Sequence, residues 1–255
     1  MPSREIEVPE FERYAASYRE LIDDPLRNRF AQTSNHFHVR KWAVLERLLM
    51  SAGADPTTLE WLDVGCGRGE LLEIAGANFA QASGCDLAPS MLPSNASFRV
   101  YEQRSPSRLP FNDGTMDLVT AVCVFHHVHG QNRRMLADEI RRVLRPGGLC
   151  CIIEHNPSNP ITRSIVKRCP LDAEADLLTA RDVSDLMRLS GFERIKKEYF
   201  LYLPEGLYHR FAPVERLFSR IPLGGQYVVL AQAPRVAKDR STSPEEECLT
   251  VSSLR

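Results

Sequence analysis

No apolar run in this 255-residue chain approaches the about 20 residues that a bilayer-spanning helix needs. The opening Met1-Pro2-Ser3-Arg4-Glu5 also lacks the apolar region of a secretory leader, so a cytoplasmic protein is expected. An excess of either charge is missing too: 32 Lys and Arg stand against 33 Asp and Glu, a net charge of −1. That balance offers no broad basic surface for nucleic acid and favours a small or neutral partner. No Cys-x-x-Cys pair occurs among the seven cysteines at 66, 85, 123, 150, 151, 169 and 248, so neither a zinc site nor any other metal is expected. Cys150 and Cys151, adjacent in an apolar run, are expected on opposite faces of a strand as reduced, buried residues. Internal repeats are absent, and the length suits one α/β domain with additions.

What the chain does have is a strand-like run closed by three alternate glycines. Leu59-Glu60-Trp61-Leu62-Asp63-Val64-Gly65-Cys66-Gly67-Arg68-Gly69 reads as a buried strand and a turn, and Glu70-Leu71-Leu72-Glu73-Ile74-Ala75 then takes helical spacing. Such glycines let the backbone bend sharply and let a ligand approach main-chain N–H groups. A dinucleotide fingerprint places its third glycine one residue later, where this chain has Glu70. The Asp63 carboxylate in front of the turn would repel a pyrophosphate and attract an ammonium group. Strand, acid, glycine triplet and helix together resemble the first motif of the class I S-adenosylmethionine (AdoMet) methyltransferases.

Further motifs follow in order. Ala82-Ser83-Gly84-Cys85-Asp86-Leu87 is a second strand ending in an acid, and an acceptor-only carboxylate at a strand tip suits the hydroxyls of a ribose. Leu109-Pro110-Phe111 precedes a fourth strand that runs through Cys123 to His126-His127, and Arg142-Val143-Leu144-Arg145-Pro146-Gly147-Gly148 leads into a fifth. Over about residues 58–233 the chain is similar to the methyltransferase type 11-like, bacterial small-molecule subgroup of that family.

The resemblance implies an α/β, Rossmann-like fold: a seven-stranded, mostly parallel sheet in the order 3-2-1-4-5-7-6, its last strand antiparallel, with helices on both faces. It implies an N-terminal helical lid at 1–50 and a methyltransferase domain at 51–234 with a helical insert at about 205–222. Residues 235–255, rich in Ser, Thr, Glu and Lys, are expected to form a disordered tail. The implied cofactor is S-adenosyl-L-methionine, held by Asp63, Gly65, Cys66, Gly67, Gly69, Asp86 and Leu87. Ser105 stands where many relatives read the adenine amino group with an aspartate, and Cys123 falls near the methyl-transfer centre.

A doubly wound sheet places ligands at the carboxyl ends of its parallel strands, which puts His126 and His127 beside the reaction. Histidine takes a proton near neutral pH, and His127 resembles the family's usual residue there. Glu154 and His155 form a second proton-handling pair, at the edge of an Asn156-Pro157-Ser158-Asn159-Pro160 loop expected to wall the acceptor. The lid residues Tyr14 and Tyr18 are candidates for a sulfonium or acceptor contact, or plain anchors of the helix. His36 and His38 are expected at the surface or as caps, with the pocket as the alternative, and the arginines between 133 and 145 as a solvated face. The insert, with Leu207, Tyr208, Phe211, Val214, Leu217 and Phe218 at helical spacing, is expected to bury an apolar face against the lid, the acceptor or a second subunit of a homodimer. The acceptor is expected to be an O or N atom of a small molecule: a sugar, a lipid-linked compound or a secondary metabolite. The alternatives are a nicotinamide oxidoreductase, disfavoured by Glu70 and Asp63, and a nonenzymatic AdoMet-binding or partner-regulating protein.

Overall fold

Seven strands and eight α-helices occupy residues 10–235 of a computed structural model, which describes that span except positions 32 and 95. The expected tail beyond 235, with Cys248, lies outside the described residues. Helices α1 (Tyr18–Leu21), α2 (Pro25–Phe30) and α3 (Ser34–Ser51) lead into β1 (Glu60–Val64), α4 (Glu70–Ala75), β2 (Gln81–Asp86), β3 (Arg99–Glu102) and β4 (Met116–Val122). Then come α5 (Gln131–Val143), β5 (Leu144–His155), α6 (Pro160–Arg168), α7 (Ala180–Leu189), β6 (Glu193–Phe200), α8 (Glu205–Leu217) and β7 (Gln226–Gln232). The sheet runs β3-β2-β1-β4-β5-β7-β6, the expected order. β1 pairs parallel with β2 and β4, whereas β7 pairs antiparallel with both β5 and β6.

Successive side chains of a strand face opposite ways, so apolar neighbours in a central strand feed two separate cores. Trp61, Leu118, Cys151 and Ile153 pack with Leu45 and Leu48 of α3 and Leu72 of α4; Leu62, Val119, Cys150 and Ile152 pack with Ile140 of α5 and Met187 of α7. Each fully buried Leu or Ile contributes about 1.5–3 kcal/mol. These two layers therefore carry the sheet and hold the carboxyl ends of β1, β2, β4 and β5 along one edge. Helix α7 begins on a capping box, with the Asp182 N–H donating to Thr179 Oγ1 and the Thr179 N–H to Asp182 Oδ2.

Within the expected N-terminal helical segment, residues 10–31 form a 3-10 turn at Glu10–Arg13 followed by the short α1 and α2. Of the α5 arginines expected as a solvated face, Arg134 is exposed and pairs with Asp138 one turn on, whereas Arg142 donates to the carbonyls of Leu109 and Phe111 and pairs with Glu139 and Asp113, and Arg133 donates to the Phe125 carbonyl. Arg145 lies beyond the helix, on β5, and pairs with Asp117 and Glu60. Leu207, Phe211, Val214 and Leu217 of the insert are exposed in the single chain, so the N-terminal segment does not cover them. Pro213 sits inside α8 and Phe211 leaves helical geometry at φ −124°, so residues at helical spacing no longer share one stripe. What α8 turns inward is Glu215, which pairs with the buried Arg40 of α3; the Arg40 guanidinium also lies 3.3 Å from the Tyr208 ring centre.

Candidate active site

The glycine turn leaves β1 at the sheet's carboxyl edge and opens on a cavity of about 2020 Å³. Gly65 has φ +66°, and a Cβ there would come within 2.5 Å of Val124 Cγ2. The main-chain N–H groups expected to face a ligand are spent inside the protein. Gly65 N and Cys66 N both donate to the Cys85 carbonyl, at 2.8 and 3.1 Å, and Gly67 N donates to Asp86 Oδ2 at 2.8 Å. What the turn supplies is therefore close approach, and the polar recognition falls to the two flanking acids. Asp86 Oδ1 accepts from Ala88 N at 2.9 Å, so each Asp86 oxygen keeps lone-pair capacity for a further donor. Burial raises the Asp86 carboxyl above the ordinary range, opposed by the N–H groups of Ala88 and Gly67.

Asp63 is 3% exposed and accepts a hydrogen bond from Thr120 Oγ1, which itself accepts from Trp61 Nε1 at 2.8 Å. Burial pushes its carboxyl up to about 7, against the pull of Thr120 and of the Lys41 ammonium. Such a group lacks a full counter-charge, and a ligand ammonium would supply one.

On the far side of the cavity β4 ends at Cys123, which takes φ +58° and donates its N–H to the Ile153 carbonyl at 2.8 Å. The turn beyond it is held by Glu154, whose Oε1 accepts the N–H groups of Val124 and Phe125 at 3.0 and 2.7 Å while Oε2 meets His126 Nδ1. Asp172 Oδ1 lies 3.4 Å from both His126 Nε2 and His127 Nε2. Burial alone would raise the Asp172 carboxyl, yet these two imidazoles hold it far below the ordinary range. Burial likewise works against a charge on His126, but Glu154 and Asp172 raise it well above the ordinary value. His126, His127 and Asp172 offer ligand atoms within 4.8 Å of one another, a spacing that also suits a small cation. Phe11 sets its ring edge-on to His127, with centroids 4.8 Å apart.

Comparison with known proteins bears on this geometry. The Methyltransferase domain family matches residues 62–152, from β1 into β5. An uncharacterized methyltransferase of Synechocystis sp. is 30% identical over 61% of this chain and 74% of its own length. The chain belongs to the class I AdoMet-dependent methyltransferases. A tRNA (carboxymethyluridine(34)-5-O)-methyltransferase of Arabidopsis thaliana is 28% identical over 66% of this chain and 39% of its own. The solved structure of a possible histamine N-methyltransferase from Thermotoga maritima shares the fold, with a TM-score of 0.63 at 17% identity over 89% of this chain and 99% of that one.

In this methyltransferase Asp63, Gly65, Cys66, Gly67, Asp86, Leu87, Cys123, His127 and His155 all line the cavity. Two expected cofactor residues do not. Ser105 turns its hydroxyl to Ser107, accepting from Ser107 N at 3.3 Å, and leaves the wall to Gln103, Arg104 and Pro106. Gly69, at φ +77°, is required because a Cβ would sit 2.5 Å from the Phe98 ring, a packing demand away from the ligand. Glu154 cannot serve as a mobile proton carrier, since both its oxygens are committed to the turn and to His126. Of the expected surface histidines, His36 is buried beside Glu205, and His38 lines the cavity, where burial followed by Lys41 pushes its imidazole down to about 3.

The loop after β5 is bound to the segment before β7: Asn156 Nδ2 donates to the carbonyls of Pro222 and Gly224, and Asn159 Nδ2 to that of Leu223. Asn159 and Thr162 still reach the cavity. The N-terminal segment is fastened at Ala15, whose carbonyl accepts from Arg68, and at Asp24, which pairs with Arg168 of α6 at 2.9 Å. Tyr14 and Tyr18 line the cavity beneath it.

Lys41, Asp172, Gln226 and Gln103 escaped the sequence reading. Lys41 is masked by the apolar stripe of α3, and Asp172 lies in a loop with no motif. Gln226 opens a strand from the far end of the chain, and Gln103 follows β3 only two residues from the expected Ser105.

Proposed function

We propose that this methyltransferase moves a methyl group to an oxygen or nitrogen atom of a small molecule, in the cytoplasm, with His127 as the proton acceptor. Asp63 would receive the ammonium of the cofactor's amino-acid end, Lys41 its carboxylate, and Asp86 the ribose hydroxyls. Bound AdoMet supplies an electrophilic methyl on a sulfonium, and the chain's own task is to hold an acceptor in line with the carbon–sulfur bond. Asp172 orients His127 through Nε2 and stabilises the imidazolium formed when His127 takes the acceptor's proton. Phe11 and the two lid tyrosines screen that pair from water.

One observation carries the reading: the acid-flanked glycine turn and the His127–Asp172 pair share a single cavity. Its volume, about 2020 Å³, exceeds the about 300–1,000 Å³ usual for one ligand and leaves room for cofactor and acceptor together. The near-zero net charge supports a small acceptor over a polynucleotide. The Arabidopsis relative favours a second reading, a tRNA acceptor.

The test is S-adenosylhomocysteine release across a panel of phenols, sugars, amines and lipid-linked quinols, run beside bulk tRNA. Methylation of a panel compound, reduced about 10²–10⁴-fold in His127→Ala and in Asp172→Asn with AdoMet affinity retained, is expected. Incorporation into tRNA alone would overturn the small-molecule acceptor, and full turnover in both variants would remove His127 as the base.

A further inference from the structure

Cys123 differs from every other described cysteine in its surroundings. Cys66, Cys85, Cys150 and Cys151 are buried, and burial raises their thiols far above the ordinary range; burial also lifts Cys169, to about 11. Cys123 sits in the cavity wall at the end of β4, its side chain directed by a left-handed φ of +58° that its N–H bond to β5 maintains. Three elements converge on its sulfur. Lys41 Nζ of α3 lies 3.9 Å away, Gln226 Nε2 of β7 donates at 3.5 Å, and His155 of β5 acts on it electrostatically.

Lys41 is only 6% exposed, and a buried ammonium requires an anion. The Cys123 sulfur is the hydrogen-bond partner that Lys41 Nζ meets in the cavity wall. Gln226 is 5% exposed, and its Oε1, buried with no partner, marks a polar wall built to meet something in the cavity. Arg27 and His126 add positive charge, while Glu154 opposes it. Burial would raise the Cys123 thiol, but Lys41 and then His155 bring it down to about 7.

We propose that Cys123 is a modification site: a thiolate paired with Lys41 and His155 that reacts with soft carbon electrophiles and with peroxide, and whose modification blocks the cofactor cavity. With a haloacetamide the sulfur forms one S–C bond as the carbon–halogen bond breaks and halide leaves. With hydrogen peroxide the sulfur takes one oxygen as the O–O bond breaks; it is oxidised to sulfenic acid, and the departing hydroxide is protonated to water. Cofactor binding should protect the thiol twice, by covering it and by drawing Lys41 to the AdoMet carboxylate; this arm alone rests on the function proposed above.

The experiment is iodoacetamide labelling of the full native chain from pH 5.5 to 9, with each cysteine followed by peptide mass spectrometry and N-acetylcysteine in the same solution as reference. Cys123 is expected to label faster than Cys66, Cys85, Cys150, Cys151 and Cys169, with a pH midpoint at least one unit below the reference of about 8.5. Lys41→Gln should move that midpoint up toward the reference, and saturating AdoMet should slow labelling at least tenfold. Labelling with the reference midpoint, or a midpoint that Lys41→Gln leaves in place, would overturn the proposal. Circular-dichroism melting of the variant confirms that it is folded at the labelling temperature. A low midpoint that responds to Lys41→Gln, without protection by AdoMet, would keep the thiolate and count against the cofactor placement instead.

Discussion

Asp63→Asn is expected to stabilise the free methyltransferase and to weaken its cofactor binding at the same time. The wild-type carboxyl is moved from its ordinary 3.8 to about 7, mainly by burial. An acid whose folded value is raised costs stability: the penalty is absent below the unfolded value, grows as pH rises toward the folded value, and is constant above it. From 3.8 to about 7 this amounts to about 4 kcal/mol at pH 8. Asparagine carries no such penalty and its Oδ1 can still accept from Thr120, but its amide N–H groups lose water at a cost of about 1–3 kcal/mol.

The expected net gain is therefore about 1–3 kcal/mol at pH 8, or about 2–10 °C in Tm for a chain of this size. At pH 4 the gain should vanish. Wild-type AdoMet affinity should follow the carboxylate, falling about tenfold per pH unit below about 7 if the ammonium requires the ionised form. The variant should bind about 10–100-fold more weakly at pH 8, the worth of a charge-assisted hydrogen bond. Differential scanning calorimetry and titration calorimetry across pH 4–8.5 read both quantities. A Tm difference that does not change with pH would refute the raised Asp63 carboxyl, and wild-type affinity that is flat between pH 5.5 and 8 would refute its assignment as the ammonium's partner.

Two further perturbations test the frame around the site. Gly65→Ala places a Cβ 2.5 Å from Val124 Cγ2 at a φ of +66°, so a loss of at least about 1–3 kcal/mol in denaturant unfolding and a tenfold weaker AdoMet affinity are expected; a variant as stable as wild type would mean the turn is not so constrained. Arg40→Met strands the Glu215 carboxylate against α3 and should cost about 3–5 kcal/mol, whereas Arg40→Met with Glu215→Leu should recover most of it. Equal losses in the single and double variants would show that the pair is not what fastens α8.

The sheet was legible because its signals are local and strong. Apolar runs bounded by glycine or proline announce β1, β4 and β5, and the opposed faces of Cys150 and Cys151 follow from the strand period alone. Periodicity failed where a helix was short or broken. Pro213 and the kink at Phe211 turned a regular apolar spacing into scattered exposed residues, and α8 is instead held by one buried ion pair that no spacing reveals. Arg142 and Arg133 escaped for a related reason, since the carbonyls they clamp lie in other elements.

From the chain alone came the bend, its two acids and the strand tips, because each is written in contiguous residues whose conformational demands are their own. Tertiary structure decided what those residues have left to offer. Packing β2 against the turn consumed the N–H groups of Gly65, Cys66 and Gly67, and Glu154 was drawn out of proton transfer by the turn beyond β4. The same packing carried Lys41, Asp172 and Gln226, far apart in sequence, to one cavity wall. The charges of Lys41 and Asp172 and the amide of Gln226 act across a few ångströms of buried space, so their effect on Cys123 and His127 exists only once the layers have closed.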